Sequence, residues 1–179
     1  HMGTHVMRNT AHFAGQNLWF FAVTVIPLAQ VFAIEFTSPL WVIVLSPLIL
    51  GERLTRMRVG AALVGFIGGL IVARATVEGS NAGVVAVASA AIFFALTIML
   101  TKKLTRTQSI TGILFFLTAM QLVMGVVCAG FDGDIAVPNA QALPYVLRIG
   151  VVGLLANFCL TNALPIAPAT LGGPIDFIR

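Results

Sequence analysis

Residues 27–54, Pro27-LAQVFAIEFTSPLWVIVLSPLILGER-Leu54, decide what kind of protein this is. The stretch is apolar for the length of a bilayer, yet it carries Glu35 inside, prolines at 39 and 47, and a charged exit at Glu52-Arg53. A carboxylate on a membrane-spanning helix is expensive and normally faces a protein interior or a watery cavity. Proline inside such a helix frees backbone carbonyls that neighbours, side chains or water must satisfy. Together these features point to a solute pathway rather than a plain anchor.

The rest of the composition agrees. The chain is 59% apolar and 9% charged, against about 25% charged in soluble domains, and its mean hydropathy is +1.02. A water-soluble fold would lack polar surface, so an all-α polytopic membrane protein is expected. The net charge of +4 does not signal nucleic acid: the basic residues are scattered between apolar runs and read as topology signals. Cys128 and Cys159 lie in apolar segments with no CxxC or Cys/His spacing, which predicts buried free thiols and no metal site. No cleavable signal peptide is expected, because His1 to Thr10 is polar and the first apolar run leads into more spans. His1, His5 and His12 have no ligand spacing and read as solvent-side residues. No HExxH or GxSxG pattern occurs, and no histidine follows His12, so an intramembrane enzyme is disfavoured and no cofactor is expected.

Seven apolar segments follow one another. Span A covers residues 11–26, B 27–50, C 57–73, D 82–101, E 109–130 and F 143–164; span G starts near Ile166. The first six are long enough to cross about 30 Å of hydrocarbon, some with flanking residues. If each crosses, Arg8, Arg53, Arg56, Arg58, Lys102, Lys103 and Arg106 share one side, which the positive-inside rule makes cytoplasmic. Arg74, Glu78, Asp132 and Asp134 fall opposite, and Asp132-Gly-Asp134 reads as a turn.

An internal repeat adds to this. Ala22, Pro27 and Ile34-Glu35-Phe36 recur 141 residues on as Ala163, Pro168 and Ile175-Asp176-Phe177, and Gln16 recurs as Asn157. Span F lies five crossings after A, so the copies face opposite ways, the inverted-repeat plan of secondary transporters. The repeat predicts about ten spans in all, with this chain truncated at both ends. Residues 1–78 would be the last three spans of the first repeat, and residues 79–179 the start of the second.

At these residues the chain resembles the drug/metabolite transporter superfamily, specifically its EamA-type members. The matching text is Arg8, Ala22, Ile26-Pro27-Leu28-Ala29, Ser38-Pro39-Leu40 and Leu48-Ile49-Leu50-Gly51-Glu52-Arg53, then Ala163-Leu164-Pro165, Pro168-Ala169 and Pro174. The resemblance covers spans three to nine of ten. It implies a multi-pass carrier of small metabolites in the bacterial inner membrane, with a central cavity between two five-helix halves. The cargo is not specified by it.

Glu35 is the leading candidate, as a proton-titrating or cation-binding carboxylate, with a hydrogen-bonded structural role as the alternative. Asp176 sits at the mirrored depth, where Arg179 at i+3 could neutralise it. Gln16, Thr97, Asn157 and Thr161 are mid-span polar groups that either bind solute or hydrogen-bond between helices. Trp19, Phe20, Phe32, Phe93 and Phe94 either line a cavity or pack. Pro39 and Pro174 are candidate hinges. Ala61, Gly65 and Gly69, and Ala82, Ala86 and Ala90, form small-residue stripes suited to close helix packing. Glu52 is placed to pair with Arg56 at i+4. The favoured function is a secondary active transporter of small metabolites with alternating access, coupled to protons through Glu35. A multidrug exporter of lipophilic cations is the alternative, and a non-transporting receptor or scaffold the third. The expected partners are a small-molecule substrate and membrane lipid, with no nucleic acid; a homo-oligomer is left open.

Overall fold

The structure, a computed structural model, describes residues 2–73, 82–131 and 137–166. The described residues form seven helices and no strand: α1 (Met2–Val25), α2 (Leu28–Glu35), α3 (Ser38–Leu50), α4 (Arg56–Ala73), α5 (Ala82–Thr105), α6 (Ile110–Ala129) and α7 (Leu143–Ala163). The chain is an all-α, polytopic helical protein, as its composition predicts.

Local chemistry explains the boundaries. Pro27 has an extended ψ of 138° and starts α2. The expected span B is not one continuous helix, because α2 stops at Glu35 and α3 starts at Ser38. Pro39 occupies the first turn of α3, where its missing N–H costs nothing. Pro47 lies inside α3 and cannot bond the carbonyl of Ile43 four residues earlier. The buried Ser46 hydroxyl donates to that carbonyl at 3.3 Å, the side-chain rescue a proline in an apolar helix requires. Gly51 ends α3 with φ +68°, a left-handed conformation that glycine adopts without penalty. At the other end of the chain, the Ser109 hydroxyl caps α6 by accepting from the Gly112 N–H at 3.2 Å.

Helix α5 is the centre of the bundle, touching α1, α2, α3, α6 and α7. It runs antiparallel to α1: Arg8 meets Thr101, and Gly15 lies against Phe93 and Phe94. Further along, Ala22 clusters with Ala86 and Val87. Alanines 86, 90, 91 and 95 are all buried, so the small-residue stripe of α5 lets its neighbours approach closely. A second cluster joins Val42 and Leu50 of α3 to Ala95 and Met99 of α5. Beyond the end of α3, Glu52 pairs with Lys102 at 3.0 Å, and Arg106 donates to the Leu50 carbonyl at 3.3 Å. These two contacts tie α3 to the last turns of α5.

Among the described residues, four helical stretches are long and apolar enough to cross a membrane: residues 28–50, α5, α6 and α7. Sequence reading counted six. The difference is α1, whose first half carries His5, Arg8, Asn9 and His12, and α4, for which the described residues establish only the shorter apolar stretch Val59–Gly68.

Several expectations are corrected. Glu52 does not pair with Arg56, because residues 51–55 are not helical and the i+4 geometry does not exist; its carboxylate reaches Lys102 instead. Cys128 and Cys159 are free but exposed rather than buried. They lie on faces of α6 and α7 that no described element covers, and an apolar segment alone does not tell an inner face from an outer one. Arg8 does not precede the first helix, and it is buried within α1. His5 is not solvent-side either. It is 2% exposed and stacks on Phe116 with a 4.4 Å centroid separation, since α1 starts well before the first apolar residue of span A. The expectations for Arg74, Glu78, Asp132, Asp134, Pro168, Pro174, Asp176 and Arg179 lie outside the described residues.

A β-carbon at Gly15 would stand 3.1 Å from Phe93 Cβ and Phe94 Cε1, whereas one at Gly60 meets nothing within 4 Å. Gly15→Val is therefore expected to destabilise the protein by about 1–3 kcal/mol, the usual cost of overpacking, and Gly60→Ala to leave it unharmed. Thermal unfolding of the two variants in detergent checks the contrast.

Candidate functional site: a polar cavity beside α1 and α5

A cavity of about 400 Å³ opens among α1, the α2–α3 junction, α5 and α7. This lies within the size range of small-molecule sites. Its walls are mostly apolar, with a few polar groups from separate elements: Arg8 and His12 from α1, Glu35 and Ser38 from the junction, Thr97 and Thr101 from α5, Asn157 and Thr161 from α7.

The break between α2 and α3 sets Glu35 at the end of α2. There its Oε2 accepts a hydrogen bond from Trp19 Nε1 at 2.8 Å. An indole N–H in an apolar setting needs an acceptor, and a carboxylate needs donors, so each answers the other. Phe20 and Phe32 stand edge-on to the Trp19 ring, with centroids 5.6 and 6.3 Å away. The junction is thus held by an indole–carboxylate bond inside an aromatic cluster.

Arg8 marks a different part of the wall. Trp19 is eleven residues further along α1, about 16 Å at about 1.5 Å per residue. Arg8 is 2% exposed; its Nε donates to Thr101 Oγ1 at 3.0 Å and its Nη1 to Asn9 Oδ1 at 2.8 Å. Asn9 is itself bonded to α6, donating to the Phe116 carbonyl at 3.3 Å, while Gln121 donates to the Asn9 carbonyl at 3.0 Å. The guanidinium is therefore anchored from two sides.

The mid-span hydroxyls donate within their own helices. Thr97 donates to the Phe93 carbonyl at 2.8 Å, Thr101 to that of Thr97 at 2.7 Å, and Thr161 to that of Asn157 at 2.7 Å. Asn157 donates to the Gly153 carbonyl at 3.0 Å. Each spends a donor on its own helix and keeps oxygen acceptor capacity. Thr101 uses that capacity for Arg8.

Comparison with known proteins follows this geometry. Residues 9–74 match the EamA-like transporter family. Over its whole length the chain is 31% identical to the riboflavin transporter of Brucella anthropi, covering 64% of that protein. It is 25% identical to the S-adenosylmethionine uptake transporter of Rickettsia felis, with 98% of this chain and 59% of that protein aligned. A crystal structure 19% identical in sequence superposes with a TM-score of 0.80, over 99% of this chain and 64% of the other; this likeness speaks for the fold alone. By these matches the chain is similar to the EamA-type drug/metabolite transporters. It spans slightly under two thirds of the length of the curated relatives it matches. The four apolar helices and the EamA-like match support a multi-pass membrane protein.

The cavity gathers Glu35, Thr97, Asn157, Thr161 and Pro39 from the residues the sequence singled out. Trp19 joins them through its bond to Glu35. Phe20 and Phe32 are exposed and off the lining, and Phe94 rather than Phe93 stands on the wall. Gln16 is half-buried and off the lining. Asp176 lies outside the described residues. Sequence reasoning singled out Phe94 among the aromatics but missed Arg8, His12 and Thr101. The available signal was the i, i+4 spacing of Arg8 and His12, which puts both on one helix face; reading Arg8 as a topology marker hid it.

Trp19→Phe keeps an aromatic ring and deletes the donor to Glu35. It is expected to lower stability by about 1.5–3 kcal/mol, the range for a hydrogen bond to a charged group. Denaturant unfolding of the variant against the parent provides the check.

Proposed function

We propose that the protein carrying this chain moves a small metabolite across a bacterial inner membrane, bound in the cavity beside α1 and α5. The observation that supports this most is that Glu35, bonded to Trp19, faces the same space as Asn157 and Thr161 of α7. Polar groups from both sides of the 1–78 and 79–179 division thus converge on one site. In this reading the two parts are inverted repeats that rock about the cavity, with Pro39 and Pro174 as hinges. Glu35 couples protonation to opening, and Asp176 is its counterpart in the second repeat.

The relatives supply the cargo to test first. Riboflavin and S-adenosylmethionine are ring-bearing metabolites with several polar groups, and the cavity offers Phe36 and Phe94 beside Thr97 and Asn157. Export of lipophilic cations is the weaker reading, because the cationic Arg8 is on the same wall. A receptor or scaffold role would leave binding without flux.

The test is uptake by the full-length protein in proteoliposomes, with riboflavin and S-adenosylmethionine offered separately. Transport of at least one is expected, and Glu35→Gln is expected to cut the rate by about tenfold or more and flatten its dependence on pH. Unchanged rate and pH profile in the variant would remove Glu35 from the mechanism.

A further inference from the structure

Arg8 carries a full charge at 2% exposure, and among the described residues no carboxylate pairs with it; both its side-chain partners are the neutral oxygens of Thr101 and Asn9. A guanidinium has five N–H donors, and these two bonds use two of them. A buried cation without a counter-charge is costly unless something else supplies acceptors. Arg8 lines the cavity, so the groups with access to its remaining donors are those of the cavity's contents. One turn along the same face, His12 also lines the cavity, and its Nδ1 is buried with no hydrogen-bond partner. Arg8 thus presents unused donors to one end of the space, and His12 lines the same end. The carboxylate of Glu35 is near Trp19, about three turns further along α1, so the two ends carry opposite charge.

We infer that Arg8 is the anchor for an acceptor group on the solute, a carboxylate or the paired carbonyls of a cyclic imide, and that His12 assists it. The inference rests on the transport reading and narrows it. The cargo is a dipolar metabolite that enters with its acceptor-rich end toward Arg8 and its donor or cationic end toward Glu35. A planar guanidinium fork meets the two oxygens of a carboxylate with parallel N–H donors, and it can place two N–H groups on a single imide carbonyl oxygen. A permanent cation with no acceptor group is rejected by Arg8. S-adenosylmethionine presents a carboxylate and riboflavin an imide, so the two arms of one experiment tell the sources apart.

The experiment is ligand-induced thermal stabilisation of the purified full-length protein, read separately from flux. The probes are S-adenosylmethionine, riboflavin and tetraphenylphosphonium. The parent protein is expected to bind one or both metabolites and not tetraphenylphosphonium. Arg8→Gln is expected to weaken binding of that metabolite by about tenfold or more and to admit the cation. Arg8→Lys keeps the charge but loses the fork; it is expected to weaken metabolite binding yet still exclude the cation, and it serves if Arg8→Gln fails to fold. The inference is overturned if the parent binds tetraphenylphosphonium as tightly as either metabolite. It is likewise overturned if neither metabolite binds, or if both Arg8 variants keep the parent's affinities. Binding that follows the expected pattern without any flux would sink the transport reading and leave the Arg8 anchor standing.

Discussion

Gly15 sits so close to α5 that a β-carbon there would stand 3.1 Å from Phe93 and Phe94, and the antiparallel contact of α1 with α5 depends on that space. Without a hydrophobic driving force between helices in lipid, packing and interhelical hydrogen bonds must hold them together. The α1–α5 contact supplies both. Small residues let the backbones approach along its middle, and Arg8 bonds Thr101 toward one end. Toward the other end, Ala22 and Ile26 close over Ala86 and Val87 with Val31 of α2. The remaining helices are arranged around this pair.

The polar groups of the cavity follow from the same contact. Because the two helices run antiparallel, the Arg8 end of α1 meets the Thr97–Thr101 end of α5. The chain reverses at Pro27, and α2 and then α3 run back along α5, with Val31 near Ala86 and Val87 and with Val42 and Leu50 on Ala95 and Met99; the break after Glu35 interrupts this path. That break sets Ser38 and Pro39 on the wall and leaves Glu35 in reach of Trp19. The site is therefore a by-product of how a kinked helix returns along a central one. It combines a cation and a carboxylate in a setting where neither could stand without bonding partners.

Helix existence was legible because long apolar runs separated by short polar loops admit few alternatives in a membrane. Most boundaries fell within a few residues of the expected ones, since Ser109, Gly130 and Pro144 are local signals. Glu35 and the mid-span Thr97, Asn157 and Thr161 stood out because polar groups in apolar runs are conspicuous. Arg8 and His12 did not, for the opposite reason: they lie in a polar stretch, and only packing against α5 and α6 turns that stretch inward. The exposure of Cys128 and Cys159 was equally hidden, because α6 and α7 are apolar on both inner and outer faces. The partner of Glu52 depended on a non-helical loop geometry that spacing alone does not reveal.

The central claim is that this cavity is where solute passes, and cysteine accessibility tests it most directly. With Cys128 and Cys159 replaced by serine in the full-length protein, Asn157→Cys places one thiol on the cavity wall, and Leu155→Cys places one on the outer face of α7. Reaction with a small water-soluble thiol reagent should occur at position 157 and slow when the transported metabolite is present, while position 155 stays unreactive or unprotected. A thiol at 157 that never reacts, or that reacts at the same rate with and without the metabolite, would contradict the account.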